Sequence, residues 1–230
     1  MSTPVVIVGA SGRMGQFASR LIENSAEFEL ALRVGSDGDL VELLGNHRAA
    51  LALDVTHAGL GFEHGMAMLE LGLRPVIGTS GVTPEEVAQL DAFARAQNLG
   101  GMVVPNFSLG MAALQAAAKS IGAEHFEAVE IIEMHHPAKH DAPSATALET
   151  ARQIEECRQP HNADRVAIHS LRLPGVQARQ ELVFGAPGER LSLCHEVVSR
   201  EAYGPGILKA LRFASKADGV FHGLAAALTQ

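Results

Sequence analysis

Three histidines, a lysine and two carboxylates lie within nine residues of this chain, in the stretch EMHHPAKHD that begins at residue 133. Histidine gains and loses its proton near neutral pH, so His135 or His136 can act in proton transfer. Lys139 adds a fixed positive charge close by. Three residues open the predicted helix that follows: Ser144, Ala145 and Thr146. Because free N–H groups at a helix N-terminus hold anions, the pattern predicts an anion site with a proton donor.

Three other interpretations of this stretch stay open. A metal site is disfavoured because neighbouring residues on a strand point to opposite faces, so His135 and His136 rarely share one ion. His140 lies beyond Lys139, whose charge repels a cation. Lys139 can instead be a nucleophile that forms a Schiff base, or the stretch can be a solvated basic loop. We predict no metal ligand in this chain.

A second pattern stands near the start of the chain, where GASGRMG follows the apolar run PVVIV. Gly9, Gly12 and Gly15 fall between a predicted buried strand and a predicted helix. Small residues there let the backbone approach a phosphate, and the helix N-terminus adds partial positive charge. The spacing is GxxGxxG rather than the commoner GxGxxG. The setting favours dinucleotide binding, and a tight structural turn is the alternative.

The end of the second predicted strand bears on which dinucleotide is bound. This strand runs through FELALRVG and is followed by SD. Arg33 and Ser36 can hold a 2′-phosphate, whereas Asp37 can accept hydrogen bonds from ribose hydroxyls. Arg33 and Asp37 can also be plain surface charges. The sequence therefore leaves both NADPH and NADH open.

Two further strand ends carry polar residues. GTSG ends the fourth predicted strand and VPNFS ends the fifth. Ligands of parallel sheets bind beyond the carboxyl ends of the strands. We therefore expect the nicotinamide end of a dinucleotide here, although each string taken alone is an ordinary turn. The residues concerned are Thr79, Ser80, Asn106 and Phe107.

Two kinds of predicted sheet position these candidate residues. In the first half, short apolar strands alternate with helical segments, which predicts an open, parallel Rossmann-type sheet. After it, helices and turn-bounded strands predict an α+β domain with a mainly antiparallel sheet. The predicted division is a dinucleotide-binding domain at 1–107, a substrate-binding and oligomerisation domain at 108–200, and a helical segment at 201–230 that returns to the first domain.

Composition excludes several classes of protein. The 230 residues are 47% hydrophobic with a net charge of −8, so real cores are expected but not the basic surface that nucleic acid needs. No apolar run approaches the roughly 18 residues of a membrane helix, and the N-terminus lacks the basic region of a signal peptide. Cys157 and Cys194 are far apart and are predicted to be reduced thiols. We expect a soluble, cytoplasmic protein that binds neither nucleic acid nor membrane.

VGASGRMG and EMHHPAKHDAPSATA together resemble the two signatures of the dihydrodipicolinate reductase family of lysine and diaminopimelate biosynthesis. That family shows a strand-borne GxxGRMG and the pattern E-x-HH-x-x-K-x-DAPSGTA. The segments GTSG, VPNFSLG and GERLSLCHEVVSRE are also similar to family segments and stand in the right order. The resemblance covers nearly the whole chain, and its second signature is long and specific.

The resemblance implies an activity. Members of the family reduce a cyclic unsaturated imine dicarboxylate, dihydrodipicolinate formed from 4-hydroxy-tetrahydrodipicolinate, by hydride transfer from NADH or NADPH. They are commonly homotetramers built through the sheet of the second domain. A related imine or amino-acid dehydrogenase acting on another dicarboxylate, and a dinucleotide sensor without turnover, are the alternatives. The sensor is disfavoured because HHPAK keeps histidine and lysine together.

The resemblance also implies roles for individual residues. His135 would donate the proton, Lys139 would bind the substrate and support the transfer, and His136 would contact a substrate carboxylate. A carboxylate would also be held by Ser144, Ala145 and Thr146. The cofactor pyrophosphate would be held by Gly9, Gly12, Arg13, Met14 and Gly15. The nicotinamide site would be lined by Gly78, Thr79, Ser80, Pro105, Asn106 and Phe107.

Two positions depart from the family pattern. Ala145 replaces a glycine, which would strain the backbone if that position needs a positive φ but is harmless in the first turn of a helix. We expect the helix. The acidic residue that some members carry after the second strand is replaced by Gly35 or Ser36. This second departure weakens the case for NADH.

Overall fold

Two compact units make up the chain. The computed structural model describes residues 2–35, 40–45, 49–122, 126–158 and 165–228. One unit comprises Met1–Phe107 with Tyr203–Gln230, and the other comprises Ser108–Ala202. Within the described ranges, no helix is both long enough and apolar enough to cross a membrane.

Strands and helices alternate through most of the described residues. The strands are β1 (Thr3–Val8), β2 (Phe28–Val34), β3 (Leu51–Asp54), β4 (Arg74–Ile77), β5 (Gly100–Val103), β6 (Ala128–His135), β7 (Ala167–Arg172), β8 (Ala178–Ala186), β9 (Glu189–Val197) and β10 (Gly219–His222). The α-helices are α1 (Arg13–Glu23), α2 (Leu40–Gly45), α3 (Gly61–Glu70), α4 (Pro84–Ala96), α5 (Leu109–Gly122), α6 (Ala145–Cys157) and α7 (Gly204–Ala214). Short 3₁₀ turns cover Arg200–Tyr203 and Leu224–Ala227.

The first unit is built on a six-stranded sheet in the order β10-β5-β4-β3-β1-β2. All of its pairings are parallel. Strand β3 is buried along its whole length and β1 over its last four residues. Parallel strands buried on both faces are continuous apolar runs, which is why PVVIV and LAL occur here. The predicted Rossmann-type sheet is confirmed.

The closing segment differs from the prediction. It does return to the first unit, but a helix throughout is wrong, because β10 follows α7 and pairs in parallel with β5. Gly219 has a φ of +94°, a conformation that a continuing helix cannot use. Val220 and Phe221 then favour a strand, and the Val220 N–H donates to Asp91 at 2.8 Å.

The second unit contains a four-stranded sheet in the order β7-β6-β8-β9. β8 runs antiparallel to both β6 and β9, so the predicted, mainly antiparallel sheet is confirmed. β7 instead runs parallel to β6, because the crossover helix α6 lies between them in the chain. Helices α5 and α6 pack on the strands. Their shared core includes Leu114, Ile131, Ile154, Leu182 and Phe184.

Candidate active site

The glycine turn follows β1 and is tied to the neighbouring strand. The N–H groups of Gly9 and Ala10 both donate to the carbonyl of Val34, each at 2.9 Å. Gly9 has a φ of +83°, which glycine adopts without strain. A Cβ at Gly15 would lie 2.1 Å from the Gly9 carbonyl oxygen. Gly9 and Gly15 are therefore required by the turn itself.

Gly12 has a different environment. It is the N-cap of α1, with φ −71° and ψ 165°, a conformation open to other residues. A Cβ there would approach only the Gly9 carbonyl oxygen, at 3.4 Å, among the described neighbours. The first turn of α1, which holds Arg13 and Met14, has no acidic residue and no side-chain cap from the described chain. The positive end of α1 beside Gly12 is therefore not capped by any side chain that the structure describes.

The ends of β3, β4 and β5 lie at the same edge of the sheet as the glycine turn. The Gly78 N–H donates to the Asp54 carbonyl at 2.7 Å. A Cβ at Gly78 would lie 2.5 Å from the ring of Phe107, which is buried. Pro105 is exposed and Asn106 half-buried. The fold thus brings the GTSG and VPNFS segments together, as the sequence predicts for one binding edge.

Thr79 carries an unpaired hydroxyl at this edge. The residue is buried, and no described residue forms a hydrogen bond with its Oγ1. A Cβ at Gly61, the first residue of α3, would lie 2.5 Å from that oxygen. Ser80, the next residue, is half-buried. Because buried polar groups are nearly always bonded, an orphan hydroxyl marks a position where a ligand atom can complete the pairing.

Arg33 lies near the end of β2, where the sequence suggests contact with a 2′-phosphate. In the structure its guanidinium forms an exposed ion pair with Glu23, at the end of α1. The two other residues considered for this contact, Ser36 and Asp37, lie outside the described residues. The choice between NADPH and NADH therefore receives no support from this edge.

An acid–histidine pair at the end of β3 was not predicted from the sequence. The Asp54 side chain is fully buried, and its Oδ1 accepts from the Thr56 N–H at 2.8 Å and from the Thr56 hydroxyl at 2.6 Å. His64 of α3 places Nδ1 3.1 Å from Asp54 Oδ2. The signal that could have found it is the single acid that closes the apolar run LALD, because an unpaired carboxylate is rarely buried.

In the second unit, a buried carboxylate organises the end of β6. Glu133 Oε2 lies 2.6 Å from His135 Nδ1. Arg172 of β7 donates to both Glu133 oxygens, through Nη1 at 3.0 Å and Nη2 at 2.8 Å. The Ser144 N–H donates to Glu133 Oε1 at 3.2 Å. One carboxylate therefore connects a strand histidine, a neighbouring strand and the start of α6.

Burial and hydrogen bonding act on these groups in opposite directions. Burial acts to raise the pKa of Glu133, but hydrogen bonds from Arg172, Ser170 and His135 outweigh it and lower that pKa to about 2. The pKa of His135 is lowered, first by burial and then by the charges of Lys139 and Arg172, while Glu133 opposes the shift. Glu133 is therefore an anion at neutral pH, and His135 titrates below its ordinary value.

The loop after β6 carries the remaining predicted cations. Lys139 Nζ donates to Asp141 Oδ2 at 2.8 Å, and the Lys139 N–H donates to the His136 carbonyl at 3.1 Å. His136 is half-buried and His140 exposed. Hydrogen bonding by Lys139 lowers the pKa of Asp141, helped by the Ala145 N–H. The carboxylate of Asp141 is thus hydrogen-bonded to Lys139 and to the start of α6.

The start of α6 has the conformation expected for an anion site. Ser144 is the N-cap and its Oγ accepts from the Ala147 N–H at 3.2 Å. Ala145 is the first helical residue, so the expected helix is confirmed, and alanine is unstrained there. The Thr146 carbonyl accepts from the buried Thr150 hydroxyl at 2.8 Å. The first turn is held in place, with Ala145 exposed and Thr146 half-buried.

Sequence reasoning gave no role to Glu133 and missed Arg172. Glu133 stands two residues before His135, so strand alternation alone places both side chains on one face. That signal was available. Arg172 comes from β7, whose parallel pairing with β6 was not predicted, and no local spacing relates it to Glu133. Within the described ranges, no three His, Cys, Asp or Glu side chains are grouped as metal ligands.

A parallel sheet whose first turn is built from glycines is typical of the class of dinucleotide-binding proteins. The family model for the dihydrodipicolinate reductase N-terminus matches residues 3–107, and that for the C-terminus matches residues 107–228. The chain belongs to the dihydrodipicolinate reductase family, as the sequence predicts.

Relatives agree with this assignment over nearly the full chain. The 4-hydroxy-tetrahydrodipicolinate reductase of Legionella pneumophila (strain Philadelphia 1) is 36% identical, over 97% of this chain and 98% of the relative. The enzyme of the same name from Lactococcus lactis subsp. cremoris is 37% identical, over 96% of this chain and 95% of the relative.

Solved structures extend the comparison to the fold. Dipicolinate-bound dihydrodipicolinate reductase from Paenisporosarcina sp. TG-14 has a TM-score of 0.83 and 31% identity, with 98% of this chain and 99% of that chain covered. A probable dehydrogenase from Thermotoga maritima has a TM-score of 0.68 at 9% identity, with 98% and 92% covered. The second likeness concerns the fold alone.

Proposed function

We propose that this protein is a 4-hydroxy-tetrahydrodipicolinate reductase, which reduces dihydrodipicolinate to tetrahydrodipicolinate with NADPH or NADH in lysine and diaminopimelate biosynthesis. The first unit binds the dinucleotide and the second binds the dicarboxylate. The observation that carries the proposal is the arrangement around Glu133, which gathers His135, the loop of Lys139 and the start of α6 within one hydrogen-bonded network.

The residues of the first unit fit a nicotinamide dinucleotide. The N-terminus of α1 beside Gly12, which no described side chain caps, suits a pyrophosphate. The unpaired Thr79 hydroxyl offers a donor and an acceptor where the nicotinamide end is proposed to lie. When bound, the reduced cofactor supplies a hydride. The proposed pyrophosphate site is completed by Gly9, Arg13, Met14 and Gly15. The proposed nicotinamide site is completed by Gly78, Ser80, Pro105, Asn106 and Phe107. Arg33 stays a candidate for contact with the adenosine ribose.

The second unit offers cationic and N–H groups to a dianion. Lys139 Nζ and the Ala145 N–H already hold one carboxylate, that of Asp141. A substrate carboxylate would take the same two donors, with Ser144 and Thr146 beside them and His136 on a second carboxylate. The relative from Paenisporosarcina sp. TG-14 was solved with dipicolinate bound, a ligand of the same dicarboxylate kind.

His135 supplies the proton. Hydride addition to a conjugated imine leaves negative charge on the group that must then be protonated. A donor that titrates near the working pH meets that need best. Lys139 stabilises the same negative charge and fixes the substrate beside the histidine. The net change is one hydride and one proton added to the unsaturated ring, so the charge is balanced.

A steady-state assay tests the proposal. The unsaturated dicarboxylate is generated in situ, and NADPH and NADH oxidation are compared with the whole protein. We expect oxidation that depends on the dicarboxylate, and the ratio of the two kcat/KM values identifies the preferred cofactor. Tight dinucleotide binding with no oxidation would instead favour a sensor. Oxidation only with another imine dicarboxylate would favour a related dehydrogenase.

We also propose a homotetramer that assembles through the outer face of the second sheet. Side chains of that sheet turned away from the shared core include Glu130, His169 and Cys194, and all three are exposed. Light scattering measures the mass directly. A mass of four chains supports the tetramer, and a monomer at assay concentration would contradict it.

A further inference from the structure

The buried network around Glu133 at the end of β6 suggests roles for two further residues, and these roles rest on the proposed function. Glu133 is ionised, so it accepts hydrogen bonds and donates none. Its Oε2 lies 2.6 Å from His135 Nδ1, and Nδ1 must therefore carry the hydrogen. The neutral ring then has its lone pair on Nε2. Only the doubly protonated ring can deliver a proton from Nε2, and that form carries a positive charge facing Glu133.

Arg172 has a second task beyond its bond to Glu133. Its Nε donates to the Lys139 carbonyl at 3.2 Å, and its Nη2 donates to the Asp141 carbonyl at 2.6 Å. The same guanidinium donates to both Glu133 oxygens. A planar fork with five N–H groups can make all these bonds at once, which an ammonium cannot. Arg172 thus ties the backbone of the cationic loop to the carboxylate that holds His135.

We propose that Glu133 and Arg172 are positioning residues for the reduction. Glu133 sets the ring orientation and tautomer of His135 and favours its charged, proton-donating form. Arg172 holds Glu133 and fixes the loop that carries Lys139. Neither side chain needs to touch the substrate, because each acts through a neighbouring group. The Ser144 N–H, which donates to Glu133 at 3.2 Å, joins the start of α6 to the same centre.

The charges around His135 predict how its titration responds. Glu133 on β6 favours the charged ring, whereas Lys139 on the loop and Arg172 on β7 oppose it. Ala178, its partner on β8, is uncharged. Replacing Glu133 by glutamine removes the favourable charge and leaves the two unfavourable ones. An opposite charge at this range moves a pKa by about one unit or more, so the variant should lose its donor form at lower pH.

A titration of the free protein tests the assignment without turnover. In protein labelled with ¹⁵N-histidine, the His135 signals are those absent from His135→Gln. We expect the Nδ1–H tautomer in the neutral ring, and a titration midpoint lowered by about one pH unit or more in Glu133→Gln. In the pH profile of kcat, the fall on the alkaline side should shift to lower pH by the same amount. A purely structural role would lower kcat at every pH and leave the position of that fall unchanged.

Helix α6 supplies a control in the same unit. Glu156 forms an exposed ion pair with Arg152, so Glu156→Gln removes a paired carboxylate that lies outside both the proposed site and the proposed interface. It should leave the His135 signals and the pH profile unchanged. An Nε2–H tautomer in the wild-type protein, or a titration midpoint of His135 that Glu133→Gln does not move, would overturn the role of Glu133.

Arg172→Lys tests the proposed role of Arg172 and keeps a positive charge beside Glu133. We expect KM to rise about tenfold or more, as for the loss of charged hydrogen bonds worth about 1.4 kcal/mol, with the His135 midpoint nearly constant. An unchanged KM would overturn the role of Arg172. If the NMR results hold but the wild-type protein does not reduce the dicarboxylate, the effect of Glu133 on the His135 tautomer and titration stands and the proposed function fails.

Discussion

The glycine turn after β1 and the loop after β6, the two proposed binding regions, are built from different kinds of groups. At the turn, Gly9 and Gly15 are required by the backbone geometry, and the N-terminus of α1 beside Gly12 has no cap from a described side chain. The loop instead gathers charged side chains beside an ion pair between buried Glu133 and half-buried Arg172. The binding proposed for the first region depends on shape, so we expect it to vary little with pH. The function proposed for the second region depends on charged groups, so we expect it to vary with pH.

The largest expected effect lies in the charged region. His135→Gln nearly preserves volume but removes the proton donor, so kcat should fall by roughly 10²–10⁴-fold. KM should change less than kcat, because the proposed carboxylate contacts come from Lys139, His136 and the start of α6. Steady-state kinetics with saturating cofactor measure both constants. A change confined to KM would move the search for the donor elsewhere and would make the loop an anion-binding element only.

Lys139→Ala should separate charge from proton donation. In the proposed reaction the ammonium binds the substrate and stabilises the developing negative charge, so KM should rise and kcat should fall together. Loss of one charged hydrogen bond predicts about ten- to hundredfold in kcat/KM. The same assay provides the test. If both constants stay at the wild-type values, Lys139 has no part in the site.

Gly12→Val probes the region that depends on shape. The backbone at Gly12 accepts a side chain and leaves Cβ 3.4 Å from the Gly9 carbonyl, so the variant should fold. The added methyl groups fill the proposed pyrophosphate space, and dinucleotide affinity should fall about 5- to 150-fold, as for 1–3 kcal/mol of overpacking. Titration calorimetry of the folded variant measures this.

Gly185→Val is the matched control for that substitution. Gly185 lies on β8 of the other unit, and no described atom would come within 4 Å of its added Cβ. The dinucleotide affinity should therefore match that of the wild-type protein. Equal affinities for Gly12→Val and the wild type would remove the pyrophosphate from this turn.

The smallest effect concerns Asp141, whose carboxylate rests on Lys139. Asp141→Asn removes a competitor for the donors that a substrate carboxylate would use. Asp141 is exposed and Lys139 half-buried, so the gain is about 0.2–1 kcal/mol, and KM should fall by less than about fivefold. The difference should shrink at high salt, because salt screens exposed charges. A rise in KM would mean that Asp141 supports the loop and does not compete with the substrate.

Much of the fold could be predicted because its signals are local. Buried parallel strands show as apolar runs such as PVVIV, and the glycine turn shows by its spacing between strand and helix. β10 was missed because a four-residue strand after a helix has no periodicity of its own. Its partner β5 lies more than a hundred residues earlier in the chain, and only that pairing defines it.

The residues of the candidate site also divide into those with a local sequence signal and those without one. His135, His136 and Lys139 stand together in the chain, so their shared chemistry can be read from the sequence. Glu133 was within reach of the two-residue strand period. Arg172 was not, because its bonds to Glu133 depend on the register of β7 beside β6. Thr79 was placed at the binding edge, but burial and the lack of a partner among described residues appear only in three dimensions.

The pairing of β10 with β5 also determines the order in which the two units can finish folding during synthesis. On the ribosome β5 emerges before the whole of the second unit, and β10 follows after it. The second unit is continuous in the chain and can fold as its own strands emerge. Until β10 arrives, the outer edge of β5 is an open template for pairing with other nascent chains. The unit that is begun first is therefore completed last, and a chain interrupted before Gly219 would expose that edge.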